Sequence, residues 1–255
     1  MITAITSRAN PLVQQYAALK TGQERYAQSL FVAEGMRICS TLYAHGMKLR
    51  NILYTIEHEP QIIKLFPVAC CVRVTTQIIE KLATTETPSG IIGVFEIPEE
   101  PNAATITPGL VLAEISTPGN MGTLIRTAAA MGVTSVVVVE GSDPWSPKVV
   151  QATAGAVGMV TLFQWSWKEL IEYSREYDIP LCGLLVAGGK TPQEVPLRKS
   201  LLVIGNEAHG LPVIWQKECT YNMTIPMPGN TESLNAAIAG SIALYIGYGM
   251  QKNER

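Results

Sequence analysis

Charge is scarce in this sequence of 255 residues. Only 16% of the residues are charged and 7% aromatic, against 47% hydrophobic, and the formal net charge is −2. That balance excludes a disordered chain, which needs high charge and little apolar surface to bury. It also gives no whole-chain signature of nucleic-acid binding. Histidine and cysteine are sparse too. His45, His58 and His209 lie far apart, and the five cysteines (Cys39, Cys70, Cys71, Cys182, Cys219) contain no C-x-x-C pair. No metal site is expected, and buried, reduced thiols in a cytoplasmic protein are.

Two nucleotide signatures are missing. "VAGGKT" at 186–191 ends like a phosphate loop, but the pattern requires glycine at 184, where Leu184 stands, and the two prolines of "PQEVPL" oppose the helix that must follow. No G-x-G-x-x-G follows the first strand of the C-terminal part, so a dinucleotide-binding enzyme is weakly supported. The start, "MITAITSRANPLVQQY", lacks the charged-then-apolar pattern of a signal peptide. The most apolar segment, Ser233 to Met250, contains Ser233, Asn235, Ser241 and many small residues, and reads as a buried helix rather than a membrane span. Neither an internal repeat nor a low-complexity tract is present.

What is present is a change of pattern partway along. Residues 11–20 and 33–46 have helical apolar spacing, while "NILYTI", "CVRVTT" and "IIGVFEI" are strand-like. "PEEPNAATITPG" is rich in proline and polar residues and reads as a linker. Regular alternation of apolar strands and helices follows: "GLVLAEI", a helix over about 120–131, "SVVVVE", a helix opened by Ser146 and Pro147, "GMVTLFQ", a helix opened by the Ser166–Glu169 capping box, then "PLCGLLVA", "SLLVIG", "YNMTIP" and the last helix. Such alternation argues a parallel sheet covered on both faces. The expected organisation is a first domain at 1–98, a linker at 99–109 and an α/β domain at 110–255. Lys plus Arg outnumber Asp plus Glu by nine to seven in residues 1–98 and are outnumbered ten to fourteen afterwards, so an anionic partner is placed nearer the N-terminal part.

Ligands of open parallel sheets bind at the carboxyl ends of the strands. Three strands here end in glycine-containing loops with polar residues: "STPGNMG", "NEAHG" and "PGNTESLN". One such loop is an ordinary turn, but three on one sheet edge suggest a site. In the first, the Gly119–Gly122 turn would let Asn120 cap the following helix, with Arg126 on the side approaching the sheet. The bland alternative for Arg126 is a salt bridge, for instance to Glu207. For Ser233 it is helix capping, and His209 is read as structural or solvated.

Taken together, "TPGNMGTLIRTAAAMG", "LLVIGNEAHGL" and "IPMPGNTESLNAAIAGSIALY" resemble, in order, the three motifs of the SpoU/TrmH branch of the SPOUT RNA methyltransferases. "ITSRANPLVQQYAAL", "LFVAEGMRI" and "TTETPSGIIGVF" resemble the small L30e-like RNA-binding domain that often precedes them. The resemblance implies a C-terminal parallel-sheet α/β trefoil-knot domain behind a small L30e-like α/β domain. It implies a homodimer and S-adenosylmethionine (AdoMet) as cofactor, with methyl transfer to a ribose 2′-hydroxyl of rRNA or tRNA. A non-catalytic RNA-binding module retaining the fold is the alternative.

Carried over by position, the resemblance gives Arg126, Asn235, Glu207, Asn120 and Ser233 as catalytic residues. It gives Gly205, Ile225, Leu234, Asn206, Met227 and Ala187 as the cofactor site. Arg8, Arg25 and Arg37 are the RNA contacts expected in the first domain, joined by Lys20. Because a guanidinium stays protonated in proteins, Arg126 is expected to stabilise a developing oxyanion rather than act as base. Ser146 and Gln151 stand where the family often has Asn and Arg, which removes possible phosphate contacts. The last helix, too apolar to face water, is expected to pack partly on a second subunit.

Overall fold

The computed structural model describes residues 2–229 and 232–249. Asn230 and Thr231 of the third motif loop, and the end of the expected last helix at Met250, lie outside the described residues.

The chain begins with β1 (Thr3–Ile5), α1 (Pro11–Ala18), α2 (Gly22–Gln28), β2 (Leu30–Glu34), α3 (Met36–Ala44) and β3 (Leu49–Tyr54). It continues through α4 (Glu59–Leu65), β4 (Cys71–Val74), α5 (Thr76–Leu82) and β5 (Ile91–Glu96). Then come β6 (Gly109–Ala113), α6 (Pro118–Ala130), β7 (Ser135–Val139), α7 (Pro147–Thr153), β8 (Thr161–Trp165) and α8 (Trp167–Glu176). The rest is β9 (Leu181–Leu185), β10 (Leu201–Ile204), α9 (Val213–Glu218), β11 (Tyr221–Thr224) and α10 (Ala236–Leu244), which runs into a π-helical turn at Tyr245–Gly249. Two compact units result: residues 1–99 with 143–158, and residues 100–142 with 159–255.

The first unit holds a five-stranded mixed sheet in the order β1-β4-β3-β5-β2. Strands β1, β4 and β3 run parallel, and β5 pairs antiparallel with β3 and β2. Val13, Leu53, Val72, Ile78 and Ile92 form its core. Asn10 caps α1 by accepting from the Leu12 N–H, and Pro11 occupies the first helical position, where its missing N–H costs nothing. The helix read over 33–46 starts only at Met36, because "LFVAE" is a strand buried at all five positions. A continuous apolar run of that length has no period with which to separate strand from helix.

Segment 143–158 reads in sequence as part of the later alternation, yet it groups with this first unit: α7 packs on β2, and Phe31 meets Trp145 with ring centroids 4.9 Å apart. Ser146 caps α7 as its spacing suggests. The same segment corrects one expected RNA contact. Arg25 is only 4% exposed. Its guanidinium is ion-paired to Asp143 and donates to the Leu19 and Lys20 carbonyls. A buried, fully partnered guanidinium is a structural element and is not available to a phosphate. Arg8, Lys20 and Arg37 are exposed.

The second unit is built on an all-parallel six-stranded sheet, β11-β9-β10-β6-β7-β8. Val111, Val137, Phe163, Leu170, Leu181 and Val203 lie in its core. The Ser166–Glu169 capping box opens α8. Strands β6, β10 and β11 run parallel in this sheet, with β9 between β10 and β11, so the three motif loops leaving their carboxyl ends lie along one edge of it. Helix α10 packs on α6, where the Thr127 and Ser241 hydroxyls are 3.0 Å apart. Part of the apolar surface of the last helix is thus covered within the unit, while Ile238 and Tyr245 remain 50% and 56% exposed.

Candidate active site

Helix α6 begins at Pro118 with Thr117 as its N-cap residue, so Asn120 sits inside the first turn rather than capping it. Its side chain turns to other loops. Asn120 Nδ2 donates to Glu207 Oε1 at 3.0 Å, and Asn120 Oδ1 accepts from Asn235 Nδ2 at 3.2 Å. Asn235 is itself the N-cap of α10: its Oδ1 accepts from the Ala237 and Ile238 N–H groups. The capping role read for Ser233 therefore belongs to Asn235, which is exposed. One chain of hydrogen bonds joins the three motif loops.

Glu207 anchors that chain. Besides Asn120, it accepts from the Ser116 and Thr117 N–H groups and from the Ser116 hydroxyl. Partial burial pushes its carboxyl up, but the hydrogen bonds from Asn120, from its own N–H, from Thr117 and from Ser116 outweigh this and hold it at about 2. Ser116 carries no sequence signal beyond its place in the loop, and it was not among the expected site residues.

The loop after β10 is braced from within. The Asn206 and Gly210 backbones exchange hydrogen bonds, and the Asn206 side chain accepts from the Ala208 and His209 N–H groups while donating to the Glu114 carbonyl at the end of β6. Glu114 adopts a left-handed backbone, φ 55°, a conformation that L-residues pay for and that clusters at functional sites. Gly205 is fixed by this turn: a Cβ there would strike the Leu211 backbone nitrogen and lie 2.7 Å from the Gly210 carbonyl oxygen. The close approach that demands glycine is thus one of the chain to itself.

A pocket of about 250 Å³ opens beside this loop. Leu184, Val186, Ile225, Met227 and Leu234 supply apolar walls, and Gly205, Asn206, Glu207 and Ser233 line it as well. Apolar walls next to backbone donors and acceptors suit an adenine ring, whose edge carries both kinds of group, so the lining fits the adenosyl part of AdoMet. Ala187 is not among the lining residues, although its neighbour Val186 is. His209, read from sequence as structural or solvated, lines the pocket instead; only its position in a suspect loop could have flagged it.

Arg126 stands apart. It lies on the exposed face of α6, opposite buried Leu124, Ile125 and Ala128, and does not line the pocket. It makes no hydrogen bond or ion pair with the described residues, and the Glu207 carboxylate is occupied by other donors. Neither the sheet-facing placement nor the salt bridge to Glu207 is found, and the guanidinium has no partner among the described residues. Among the described residues no group of three or more His, Cys, Asp or Glu is arranged to hold a metal, and no helix is long and apolar enough to cross a membrane. The five cysteines are unpaired.

Residues 108–245 match the SpoU rRNA methylase family model, and residues 10–93 match the MRM3-like substrate-binding domain. The chain is 28% identical to the 23S rRNA (guanosine(2553)-2′-O)-methyltransferase RlmP of Bacillus subtilis, over 94% of this chain and 97% of that one. It is 30% identical to an uncharacterized tRNA/rRNA methyltransferase of Synechocystis, over 96% and 93%. The AdoMet-bound rRNA methyltransferase of Sinorhizobium meliloti superposes with a TM-score of 0.85 at 28% identity, covering 96% of this chain and 97% of that one. The fold class is the one read from the sequence, a SPOUT-type parallel-sheet trefoil-knot unit with a small α/β unit ahead of it. With the family model spanning more than half its length and the three motif loops meeting at one sheet edge, the chain belongs to the SpoU rRNA methylase family.

Proposed function

We propose that the protein is an AdoMet-dependent methyltransferase acting on a ribose 2′-hydroxyl of RNA, and of ribosomal RNA in particular. The observation that carries this reading is the single hydrogen-bonded chain Glu207–Asn120–Asn235, which ties the three motif loops together beside an adenine-sized apolar pocket. AdoMet, when bound, supplies an electrophilic methyl group. Ile225, Met227 and Leu234 would hold its adenine, with the Gly205–Gly210 turn as floor and Ser233 at the pocket wall. Ala187 contributes backbone at most, because its side chain is outside the lining.

The remaining work falls to this chain's own groups. Glu207, Asn120 and Asn235 hold the loops in register, so that the reacting hydroxyl meets a preset geometry. Arg126, a guanidinium without a partner among the described residues, is the residue suited to stabilise the developing 2′-oxyanion or to clamp the adjoining phosphate. Exposed Arg8, Lys20 and Arg37 would contact phosphates from the first unit, with salt-sensitive affinity.

The protein would work in the cytoplasm as a homodimer through the second unit. Exposed Ile238 and Tyr245 on the last helix support that assembly. The domain division we favour is 1–98, a linker at 99–109 and 110–255, with 143–158 packed on the first part.

Calorimetry with AdoMet, together with mass mapping of ribose methyls in rRNA from cells with and without the gene, tests the reading. One site per protomer and one methyl lost from rRNA on deletion are expected. No AdoMet binding would favour the non-catalytic RNA-binding module, and AdoMet binding with an unchanged rRNA map would overturn the assignment to ribosomal RNA.

A further inference from the structure

A second cavity, of about 350 Å³, lies wholly within the first unit. It sits at the carboxyl ends of β1, β4 and β3, three adjacent parallel strands, which is where open sheets hold ligands. Thr6, Thr55, Ile56, Glu57, Arg73 and Thr75 line it. The walls therefore carry a carboxylate, a guanidinium and several hydroxyls around an isoleucine that is 58% exposed.

The carboxylate is held in place. Thr55 is 3% exposed, and its hydroxyl donates to Glu57 Oε1 at 2.6 Å. The Thr55 N–H is bound by the Gly90 carbonyl at 3.0 Å. Gly90 itself has φ +78°, and a Cβ there would lie 2.7 Å from both the Thr55 hydroxyl and His58 Nε2, so glycine is required for this arrangement. The Thr55 hydrogen bond, and lesser contributions from Glu57's own N–H and His58, lower the Glu57 pKa, so it is an obligate acceptor near neutral pH. Arg8 follows the lining residue Thr6 by two positions in sequence, and Lys81 Nζ donates to the Arg8 carbonyl at 2.9 Å.

We propose that this cavity holds an unpaired guanine of the RNA substrate, with Glu57 accepting from the base's N1–H and N2–H groups. Guanine alone among the four bases presents two adjacent donors to a carboxylate. Arg73, whose Nη1 pairs with Glu59 at 3.6 Å and whose other N–H groups remain, and the Thr6 hydroxyl match its O6 and N7 acceptors, and Ile56 offers an apolar surface to the ring. Single-stranded RNA is read in this way, on the edges of splayed-out bases. Arg8 and Lys81 are then placed to meet the flanking phosphates. The proposal rests on the reading of the protein as an RNA methyltransferase, and it concerns recognition at a distance from the methylated ribose.

The test uses the full-length protein and labelled single-stranded oligoadenylates carrying one central guanosine, one central inosine or no substitution. Inosine keeps N1–H but lacks the 2-amino group. The guanosine strand should bind roughly tenfold tighter than the other two. Glu57→Gln should erase that preference while leaving AdoMet affinity and melting temperature unchanged, since Glu57 is exposed and outside the cofactor pocket. An equal preference in wild type and variant overturns the proposal. So does a wild type that methylates rRNA yet ignores the guanosine. A wild type that binds AdoMet but neither these strands nor rRNA overturns the RNA reading itself.

Discussion

Asn120 and Asn235 are joined amide to amide, 115 residues apart in sequence, by one hydrogen bond of 3.2 Å. Each has a second partner that gives the contact its consequence. Asn120 holds the Glu207 carboxylate, and Asn235 caps α10. The start of the last helix is thus tied to the loop after β10 through the first turn of α6.

Asn235 therefore has two separable tasks. Asn235→Ala should lose the cap, destabilising the protein by about 1 kcal/mol and lowering its melting temperature by a few degrees. Asn235→Ser should keep the cap and the melting temperature but lose the bond to Asn120. If positioning matters to turnover, the serine variant should remain slow although stable. Thermal melts and methyl transfer measured on both variants separate the two tasks.

Glu207 gives a pH signature. Its folded-state pKa of about 2 lies below the ordinary 4.5. A depressed carboxylate contributes stability that is fully present above about pH 4.5 and is lost as pH falls toward 2. Glu207→Gln has no such titration, and its amide N–H₂ confronts donors where the carboxylate accepted. The variant should be less stable than wild type at pH 7, and the gap should narrow between pH 4.5 and pH 2. Urea unfolding at pH 7, 5 and 3 measures that gap; a constant difference would refute the assigned hydrogen bonds.

Gly205→Ala places a methyl group against the Leu211 nitrogen and the Gly210 carbonyl, neither of which can rotate away. Overpacking of this kind costs about 1–3 kcal/mol. The turn that floors the cofactor pocket must shift, so AdoMet affinity should fall together with melting temperature. Calorimetry showing wild-type affinity would mean that the turn is not part of the binding site.

Much of this architecture was legible in the sequence, for identifiable reasons. The strands of the second unit are unbroken apolar runs between turn residues, and Ser166 with Glu169 announces a helix start by spacing alone. The first unit was harder. Its β1 is three residues long, and the seven-residue helices α2, α4 and α5 are too short to show a period. The three motif loops could be nominated because each follows a strand, but the division of labour inside them could not. Asn120 and Ser233 both sit in sequence where a cap is plausible, yet Thr117 and Asn235 hold those N-cap positions, and the bond that ties Asn120 to Asn235 across 115 residues has no local signal. The burial of Arg25 depends on Asp143, 118 residues away, which no local pattern reveals.

Arg25 and Asp143 form a pair whose loss should be felt in stability. Arg25→Ala leaves the Asp143 carboxylate without its main partner and exposes the Leu19 and Lys20 carbonyls. Breaking one side of a buried ion pair costs about 3–5 kcal/mol. Denaturant titration should show that loss, whereas the salt dependence of RNA binding by the remaining folded protein should be unchanged. A shallower salt slope with normal stability would restore Arg25 to the RNA surface.

Arg126 is the most discriminating residue, because no contact among the described residues explains it structurally. It lies on the exposed face of α6 with no partner among the described residues. Arg126→Ala should therefore leave the melting temperature nearly unchanged, as surface substitutions usually do. AdoMet affinity should also hold, since Arg126 does not line the cofactor pocket. If the guanidinium stabilises charge that develops at the ribose oxygen or clamps its phosphate, turnover should fall roughly a hundredfold or more. Arg126→Lys keeps the charge but loses the planar fork, so it should rescue little. Mixing wild-type protein with an excess of Arg126→Ala protein adds a further measure: in a homodimer that shares sites across subunits, activity per wild-type protomer changes with the mixing ratio, and in independent protomers it does not. A stable Arg126→Ala protein that binds AdoMet and methylates rRNA at the wild-type rate would remove Arg126 from the chemistry.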